Sequence, residues 1–288
     1  MERDMLINNS AIKGALGLPE RAWREISAPL SPLPEGGYGI AARLLSPSVS
    51  GAGGAGTLCL GRGREPFRAA SVIKAGISAC LFSCAQEGLF DLGSGLTIEA
   101  EDIVEGGVLC ELAAPHTFSL LELARLMITV SDNTASNLLL RLLGKDRVNA
   151  FLRERLGLGA SVINRYFMHS PELEGENYTS AEDCVIMLSR LWGEEILSGD
   201  SREEFWKIMS RQMFIEKLPG SLPNTVKCYN KTGELDDGVR SDIGVFQYGS
   251  LVWSVAFLTD QRTVSAAETD RIIADFSENL FNGLIKYL

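Results

Sequence analysis

The chain has 288 residues, of which 45% are hydrophobic and 22% are charged, and its formal net charge is -10. This length and composition are typical of a globular protein with a sizeable core. The acidic balance argues against a nucleic-acid or anionic-membrane surface, because neither attracts a negatively charged body. We therefore expect a small-molecule or peptide-like substrate, with no nucleic-acid and no membrane partner.

The sequence predicts neither a membrane helix nor a metal site. No apolar stretch is long enough to span a bilayer, and the first residues lack an apolar signal core, so we expect a cytoplasmic protein, or a secreted one if a leader was removed. The two histidines, His116 and His169, and the six cysteines lack metal-ligand spacing. We expect no metal and no cofactor, buried free cysteines, and a monomer.

The first elements in chain order are a helix over about 11–26 and two strands over 38–45 and 57–60. The glycine-rich segment 46–56 between the strands lacks a Gly-Lys-Ser/Thr ending and precedes a strand rather than a helix. It is therefore interpreted as a long hairpin loop and not as a phosphate-binding loop.

The next segment, 69–77, has Ser71 and Lys74 at the start of a helix that is predicted to be buried. A three-residue spacing places the hydroxyl and the amine on one helix face. The first turn favours a developing negative charge, and burial lowers the lysine pKa from about 10.4 toward a value at which it accepts a proton. However, Ser-x-x-Lys occurs by chance roughly once in a chain of this length.

The middle of the chain is predicted to be helical. Capping boxes predict helix starts at four pairs of residues: Ser119 with Glu122, Thr179 with Glu182, Ser201 with Glu204, and Ser265 with Glu268. Glycines at 144 and 157 predict helix ends.

Strand patterns return at 225–232, 242–248 and 251–258, and a final helix has an apolar stripe that could cover a sheet. The strands at both ends of the chain therefore enclose a helical middle. We predict an α+β fold, in which an antiparallel five-stranded sheet is flanked by the terminal helices and carries an inserted all-helical subdomain. The sheet subdomain would comprise 1–61 and 216–288, the helical subdomain 62–215, and the active site would lie between them.

Two further motifs follow Ser71 and Lys74: Ser131-Asp132-Asn133 and Lys231-Thr232-Gly233. The three motifs in this order resemble the class A beta-lactamase and penicillin-binding superfamily, and the similarity covers about 38–258. The resemblance implies a beta-lactamase/transpeptidase-like fold and a serine hydrolase. Ser71 would be the acylated nucleophile, Lys74 its proton acceptor, and Ser131 the group that relays a proton to the leaving nitrogen, with Lys231 as the fourth catalytic residue.

The resemblance also implies five substrate-binding residues: Asn133, Thr232, Gly233, Glu234 and Arg240. Asn133 would hold the side-chain amide of the substrate, and Thr232 and Arg240, with Lys231, would hold its carboxylate. The backbone NH groups of Ser71 and Glu234 would form the oxyanion hole. Independently of the resemblance, two neighbouring lysines would lower each other's pKa, which would help Lys74 act as a base.

One element of the family is missing from the sequence. Class A beta-lactamases have a Glu-x-x-x-Asn element whose glutamate activates the water that releases the acyl group. Counting back from Thr179 places these positions at Asn164 and Met168, and neither residue fits. The acidic residues that follow in the same loop, Glu172, Glu174 and Glu176, are interpreted as solvated charges, and the alternative is that one of them moves into the site. We therefore expect inefficient antibiotic hydrolysis.

The first hypothesis is a serine hydrolase that forms an acyl-enzyme on Ser71 with a lactam, amide or ester substrate bearing a carboxylate. One alternative is an authentic beta-lactamase with non-standard deacylation. Another is a turnover-deficient penicillin-recognising binding protein. A structural role, with Ser71 as a helix cap and Lys74 as a surface charge, is the last alternative.

Overall fold

The computed structural model describes residues 15–46, 56–193 and 195–288. Five antiparallel strands form the main sheet in the order β2-β1-β9-β8-β7, which confirms the predicted sheet. These strands are β1 (Tyr38–Leu44), β2 (Leu58–Gly61), β7 (Lys227–Leu235), β8 (Val239–Tyr248) and β9 (Leu251–Thr259). Four short strands form two small sheets: β3 (Phe67–Arg68) pairs with β6 (Tyr178–Thr179), and β4 (Gly95–Ile98) pairs with β5 (His116–Ser119).

Helices fill both ends and the middle of the chain. The α-helices are α1 (Glu20–Ser27), α2 (Lys74–Gln86), α3 (Leu120–Thr129), α4 (Asn133–Leu143), α5 (Lys145–Ala150), α6 (Pro171–Glu174), α7 (Ala181–Trp192), α8 (Gly199–Met209) and α9 (Ala266–Tyr287). Short 3-10 turns include Ala70–Ile73 directly before α2, and a π-helical turn, Phe151–Arg155, follows α5. In the part of the chain that the structure describes, none of these helices is long and apolar enough to cross a membrane.

The main sheet separates two hydrophobic cores. Adjacent residues of β1 alternate between them: Ile40 packs with the terminal helices, whereas Ala41 packs with the helical middle of the chain. Because both faces of the sheet are covered, β9 is apolar along almost its whole length. The terminal helices and the inserted helices thus lie on opposite faces of one sheet.

The helix α2 lies in the centre of the helical side. Its residues from Lys74 to Cys84 are all buried, which agrees with the apolar composition of the segment. The predicted start at about residue 69 is a 3-10 turn rather than an α-helix, and Ala70 within it has a positive φ of 44°. Ser71 therefore lies on a tight turn that leads into a buried helix.

Two of the predicted helix caps are confirmed. The Ser119 hydroxyl accepts a hydrogen bond from the backbone N of Glu122 at 3.2 Å, and the Glu122 carboxylate accepts one from the backbone N of Ser119 at 2.8 Å. The Ser265 hydroxyl caps α9 by accepting a hydrogen bond from the backbone N of Glu268 at 3.3 Å.

The other two predicted caps are wrong. Ser180 caps α7 by accepting from the backbone N of Asp183, whereas Thr179 is extended in β6, where strand pairing holds it. Ser201 lies inside α8, because the helix begins directly after Ser198. The backbone N of Ser198 donates to the Gln86 side chain at 2.8 Å.

The predictions for the first 60 residues are tested only in part by the structure. The helix α1 covers the second half of the segment predicted as 11–26, and residues 1–14 lie outside the described part. The strands β1 and β2 are antiparallel neighbours as predicted, with Ile40 opposite Leu60. Most of the loop between them, 47–55, also lies outside the described residues.

Candidate active site

The turn between α3 and α4 holds the second motif in place. Asp132 is fully buried, and its carboxylate caps α4 by accepting from the backbone N of Ala135 at 2.8 Å. The other carboxylate oxygen accepts from the backbone N of Val108 at 2.7 Å and of Leu109 at 2.8 Å. Ser131 has a positive φ of 58°, a costly conformation for a residue with a side chain. Asp132 thus ties a neighbouring loop to a strained turn and fixes where Ser131 lies.

The Ser131 hydroxyl lies between two buried lysines. Its Oγ is 3.3 Å from Nζ of Lys74 and 3.1 Å from Nζ of Lys231. Lys74 also donates to the Ser131 carbonyl and to Oδ1 of Asn133, both at 2.7 Å, and Lys231 donates to the Thr232 carbonyl at 2.7 Å. Three of the four predicted catalytic side chains therefore converge at one point.

The fourth, Ser71, lies on the turn against which β7 packs. A Cβ added to Gly233 would lie 3.0 Å from the backbone N of Ser71 and 2.9 Å from that of Val72. Ser71 is partly exposed, and its hydroxyl has no hydrogen-bond partner among the residues that the structure describes. Lys74 therefore binds the second motif, and the Ser71 hydroxyl is left available to a substrate.

Both lysines at the site have lowered pKa values. Burial, followed by the charge of Lys231, holds the pKa of Lys74 well below its usual value, and the charge of Asp132 opposes this shift. Burial lowers the pKa of Lys231 to about 7; Lys217 lowers it further, whereas Asp242 and Glu234 raise it. The Lys231 amine can therefore exchange a proton near neutral pH, and the neutral form of Lys74 is favoured relative to that of a solvated lysine.

Phe167 is the loop residue that lies beside Lys74. Nζ of Lys74 is 4.4 Å from the centroid of the Phe167 ring. Asn137 in α4 fixes this position, since its side chain accepts from the backbone N of Phe167 at 2.8 Å and donates to its carbonyl at 3.0 Å. An apolar ring thus occupies the space next to the Lys74 amine.

The residue count points to Asn164, but the residue that the structure places beside Lys74 is Phe167. The Asn164 side chain donates to the Glu176 carbonyl, and its backbone N donates to the Asn177 side chain at 2.8 Å. Met168 is largely exposed. The count assumes a constant loop length, whereas the hydrogen bonds of Asn137 select Phe167.

Two of the three loop glutamates are bound within the loop. Glu174 accepts from Lys145 at 2.9 Å and lies 2.8 Å from Nδ1 of His169. Glu176 pairs with Arg165 at 2.9 Å. These carboxylates therefore stabilise the loop, and the interpretation of them as merely solvated charges misses their ion pairs.

Three of the predicted substrate-binding side chains, those of Asn133, Glu234 and Arg240, already have protein partners. The amide of Asn133 accepts from Lys74 and donates to the Glu105 carbonyl at 2.8 Å. The guanidinium of Arg240 donates to Glu234 at 2.7 Å and, through two nitrogens, to Asp270. Their roles toward a substrate stay predictions.

A comparison with known protein families identifies the family of the chain. A model described as the beta-lactamase enzyme family matches residues 55–284, which is most of the chain. The chain belongs to the beta-lactamase enzyme family. Among curated proteins, this family member is 26% identical to a beta-lactamase of Bacillus licheniformis over 234 residues, 76% of this chain and 73% of the relative. It is 28% identical to beta-lactamase CARB-4 of Pseudomonas aeruginosa over 222 residues, 74% and 73% of the two chains.

Solved structures agree with this assignment. A leucine-to-glutamate mutant of PBP-A, described as an acyl-enzyme complex with penicillin G, is 28% identical, with a TM-score of 0.80 over 92% of this chain and 97% of that one. A mutant of an ancestral class A beta-lactamase of Gram-negative bacteria is 26% identical, with a TM-score of 0.80 over 91% and 100%. A beta-lactamase of Sphaerobacter thermophilus, 24% identical, shares the fold with a TM-score of 0.82 over 92% and 97%.

Three residues of this beta-lactamase family member were missed by the sequence analysis: Asn137, Phe167 and Lys217. Asn137 lies six residues after Ser131, in the same helix as Asn133, so the second motif could have directed attention to it. Phe167 and Lys217 carry no recognisable sequence signal, since only the fold brings them to the site.

Proposed function

We propose that this protein is a serine hydrolase that forms an acyl-enzyme on Ser71 with a lactam, amide or ester. The observation that carries this proposal is the Ser131 hydroxyl, which lies within hydrogen-bonding distance of both Lys74 and Lys231. This arrangement gives a continuous proton path from a base near the nucleophile to a donor for the leaving group.

The proposed chemistry conserves each proton. The Ser71 oxygen attacks the substrate carbonyl and gives its proton to neutral Lys74, which moves from the Ser131 side to accept it. The Ser131 hydroxyl then donates its proton to the leaving nitrogen or oxygen as that bond breaks, and Lys74 reprotonates Ser131. The lowered pKa of Lys74 supports this role, because a fully protonated lysine cannot accept a proton.

The oxyanion would be held by the backbone NH groups of Ser71 and Glu234. The close approach of Gly233 to the Ser71 turn supports this, since it brings the two backbones together without an intervening side chain. Each such donor contributes roughly 3 kcal/mol in acyl transfer. The substrate is proposed to be a small or peptide-like molecule whose carboxylate lies near Lys231, Thr232 and Arg240.

We propose further that acyl release is slow. The Phe167 ring lies 4.4 Å from Nζ of Lys74, and we take its place to be the one at which the resembling class A enzymes would need their water-activating carboxylate. A phenyl group neither accepts a proton nor orients water, so the acyl-enzyme would persist. The second candidate, an authentic beta-lactamase, is favoured by the names of the curated relatives.

Intact-mass measurement after incubation with penicillin G tests the first proposal. We expect one added penicillin per chain in the parent and none in Ser71→Ala. Ser78→Ala is the matched control, because Ser78 is a buried serine of α2 whose hydroxyl has no partner within the described residues. An unmodified parent, or an adduct on Ser71→Ala, would contradict the proposal.

Nitrocefin separates the two candidates. Slow release predicts a burst of about one equivalent followed by little turnover. Steady turnover far above that of Ser71→Ala would instead support an authentic beta-lactamase that activates water by another group.

A further inference from the structure

Four charged side chains form a closed ring beside the candidate active site. Glu234 accepts hydrogen bonds from Lys217 and Arg240. Arg240 also binds Asp270 through two nitrogens, and Nζ of Lys217 lies 3.8 Å from the Asp270 carboxylate. Two cations and two anions therefore neutralise one another.

The members of the ring differ in their access to solvent. The Lys217 side chain is 1% exposed, that of Asp270 is 15% exposed and that of Arg240 is 19% exposed, whereas that of Glu234 is 42% exposed. A buried cation needs an anionic partner, because an unpaired charge costs several kcal/mol. Glu234 is thus the member that an incoming anion could replace.

The ring lies close to Lys231 of the candidate active site. Glu234 follows Gly233 on the edge strand β7 and lies directly opposite Arg240 of β8. The charges of Lys217 and Glu234 both act on Lys231, whose amine contacts the Ser131 hydroxyl. An anion at the end of β7 would therefore meet the same cations that Glu234 now binds.

We propose that the carboxylate of Glu234 occupies the anion site formed by Lys217 and Arg240. In this way it lowers the preference of the cleft for substrates that have a carboxylate on the leaving group. The carboxylate of such a substrate can still bind Lys231 and Thr232, as proposed above, but it reaches Arg240 and Lys217 only after it displaces the carboxylate of Glu234. A neutral leaving group requires no displacement. This inference rests on the proposed function, because it assigns Glu234 a specificity role at the same site.

A pair of activated aryl esters tests the inference. Both have the same acyl group, and the phenol leaving group either has or lacks a meta-carboxylate. The measured quantity is the ratio of kcat/KM for the carboxylate ester to kcat/KM for the neutral ester. We expect this ratio to rise roughly tenfold in Glu234→Gln and in Glu234→Ala, because the cation pair is then free for the substrate.

Asp236→Asn is the matched control. Asp236 is an exposed carboxylate two residues further along the chain, it forms no ion pair within the described residues, and its replacement changes the net charge equally. The ratio should be unchanged in this variant. An equal rise in Asp236→Asn, or an unchanged ratio in both Glu234 variants, would overturn the inference.

Benzoate binding gives a second measurement that requires no acylation. In a Ser71→Ala background, calorimetry should show roughly tenfold tighter benzoate binding after Glu234→Gln, whereas binding of neutral benzamide should not tighten. Unchanged benzoate affinity would contradict the role of Glu234 even if neither ester reacts. Failure of both esters with tighter benzoate binding would instead contradict only the proposed acyl transfer.

Discussion

The amine of Lys74 and the ring of Phe167 are direct neighbours, with 4.4 Å between Nζ and the ring centroid. A ring face attracts the charged form of an amine, but burial and the charge of Lys231 nevertheless hold the pKa of Lys74 well below its usual value. The ring thus contacts the base without supplying any group that could activate water. The balance between acylation and release is expected to depend on this contact.

Phe167→Glu should speed acyl release. A carboxylate at this place could accept a proton from the attacking water. Such general-base catalysis raises a reaction rate by roughly a hundredfold or more. The rate of loss of the penicillin adduct, followed by intact mass, measures the change. Phe167→Leu is the control and should leave the adduct long-lived. Equal release rates in the two variants would contradict the assignment of Phe167.

Ser131→Ala should slow acylation by roughly a hundredfold, because the hydroxyl between the two lysines is lost. Ser131→Gly should slow acylation equally. Glycine tolerates the positive φ of this residue, so the Gly variant should be more stable than the Ala variant by about 1 kcal/mol. Stopped-flow acylation and urea unfolding measure the two effects, and wild-type acylation in either variant would exclude the proposed proton relay.

Lys231→Met should stabilise the protein at neutral pH while abolishing acylation. Because the pKa of buried Lys231 is about 7, its amine is largely neutral in the native state between about pH 7 and pH 10. In the unfolded chain the same amine is protonated over this range. Because the unfolded state binds the extra proton, the parent loses stability as pH falls from about 10 to about 7. We expect Lys231→Met to be about 1–4 kcal/mol more stable at pH 7.

The pH dependence separates this effect from a simple gain in packing. The stability advantage of Lys231→Met, measured by urea unfolding, should shrink as pH rises from 7 toward 10, since the parent recovers stability over that window. An advantage that is constant with pH would show that the titration of Lys231 does not cause it.

Asp132→Asn should destabilise the protein by about 2–4 kcal/mol, because the carboxylate accepts three backbone hydrogen bonds while buried. An asparagine amide has a single acceptor oxygen, so it can accept either the bond from Ala135 or those from Val108 and Leu109, but not all three. Thermal and urea unfolding measure the loss, and Asp146→Asn on the first turn of α5 provides a comparison at an exposed aspartate. A similar small loss in both variants would contradict the role of Asp132.

The architecture could be predicted because its signals are local. Alternating and continuous apolar runs identified the strands of the sheet, and Ser119 with Glu122 identified the start of α3. The cap of α7 was wrong by one residue, since Thr179 and Ser180 are both followed three residues later by an acidic residue. Pairing of Thr179 with Phe67, far away in the sequence, decides between them.

The site could be predicted only as far as its motifs extend. The convergence of Lys74, Ser131 and Lys231 follows from the resemblance, and the structure brings their side chains together. Phe167 was not found, because its position depends on hydrogen bonds from Asn137 rather than on spacing. Lys217 belongs to no motif, and its burial arises from tertiary contacts with Glu234 and Asp270.

The bond from Lys74 to the Ser131 carbonyl has a consequence for any experiment that removes this lysine. The Lys74 amine is proposed to accept a proton, and it also holds in place the turn that carries Ser131, the proposed proton donor. Replacing Lys74 by a shorter side chain would loosen that turn and also remove the proposed base. The measured fall in acylation rate would therefore be larger than the fall caused by the loss of the base alone. A shortened amine supplied in solution could restore proton transfer but could not restore the tether.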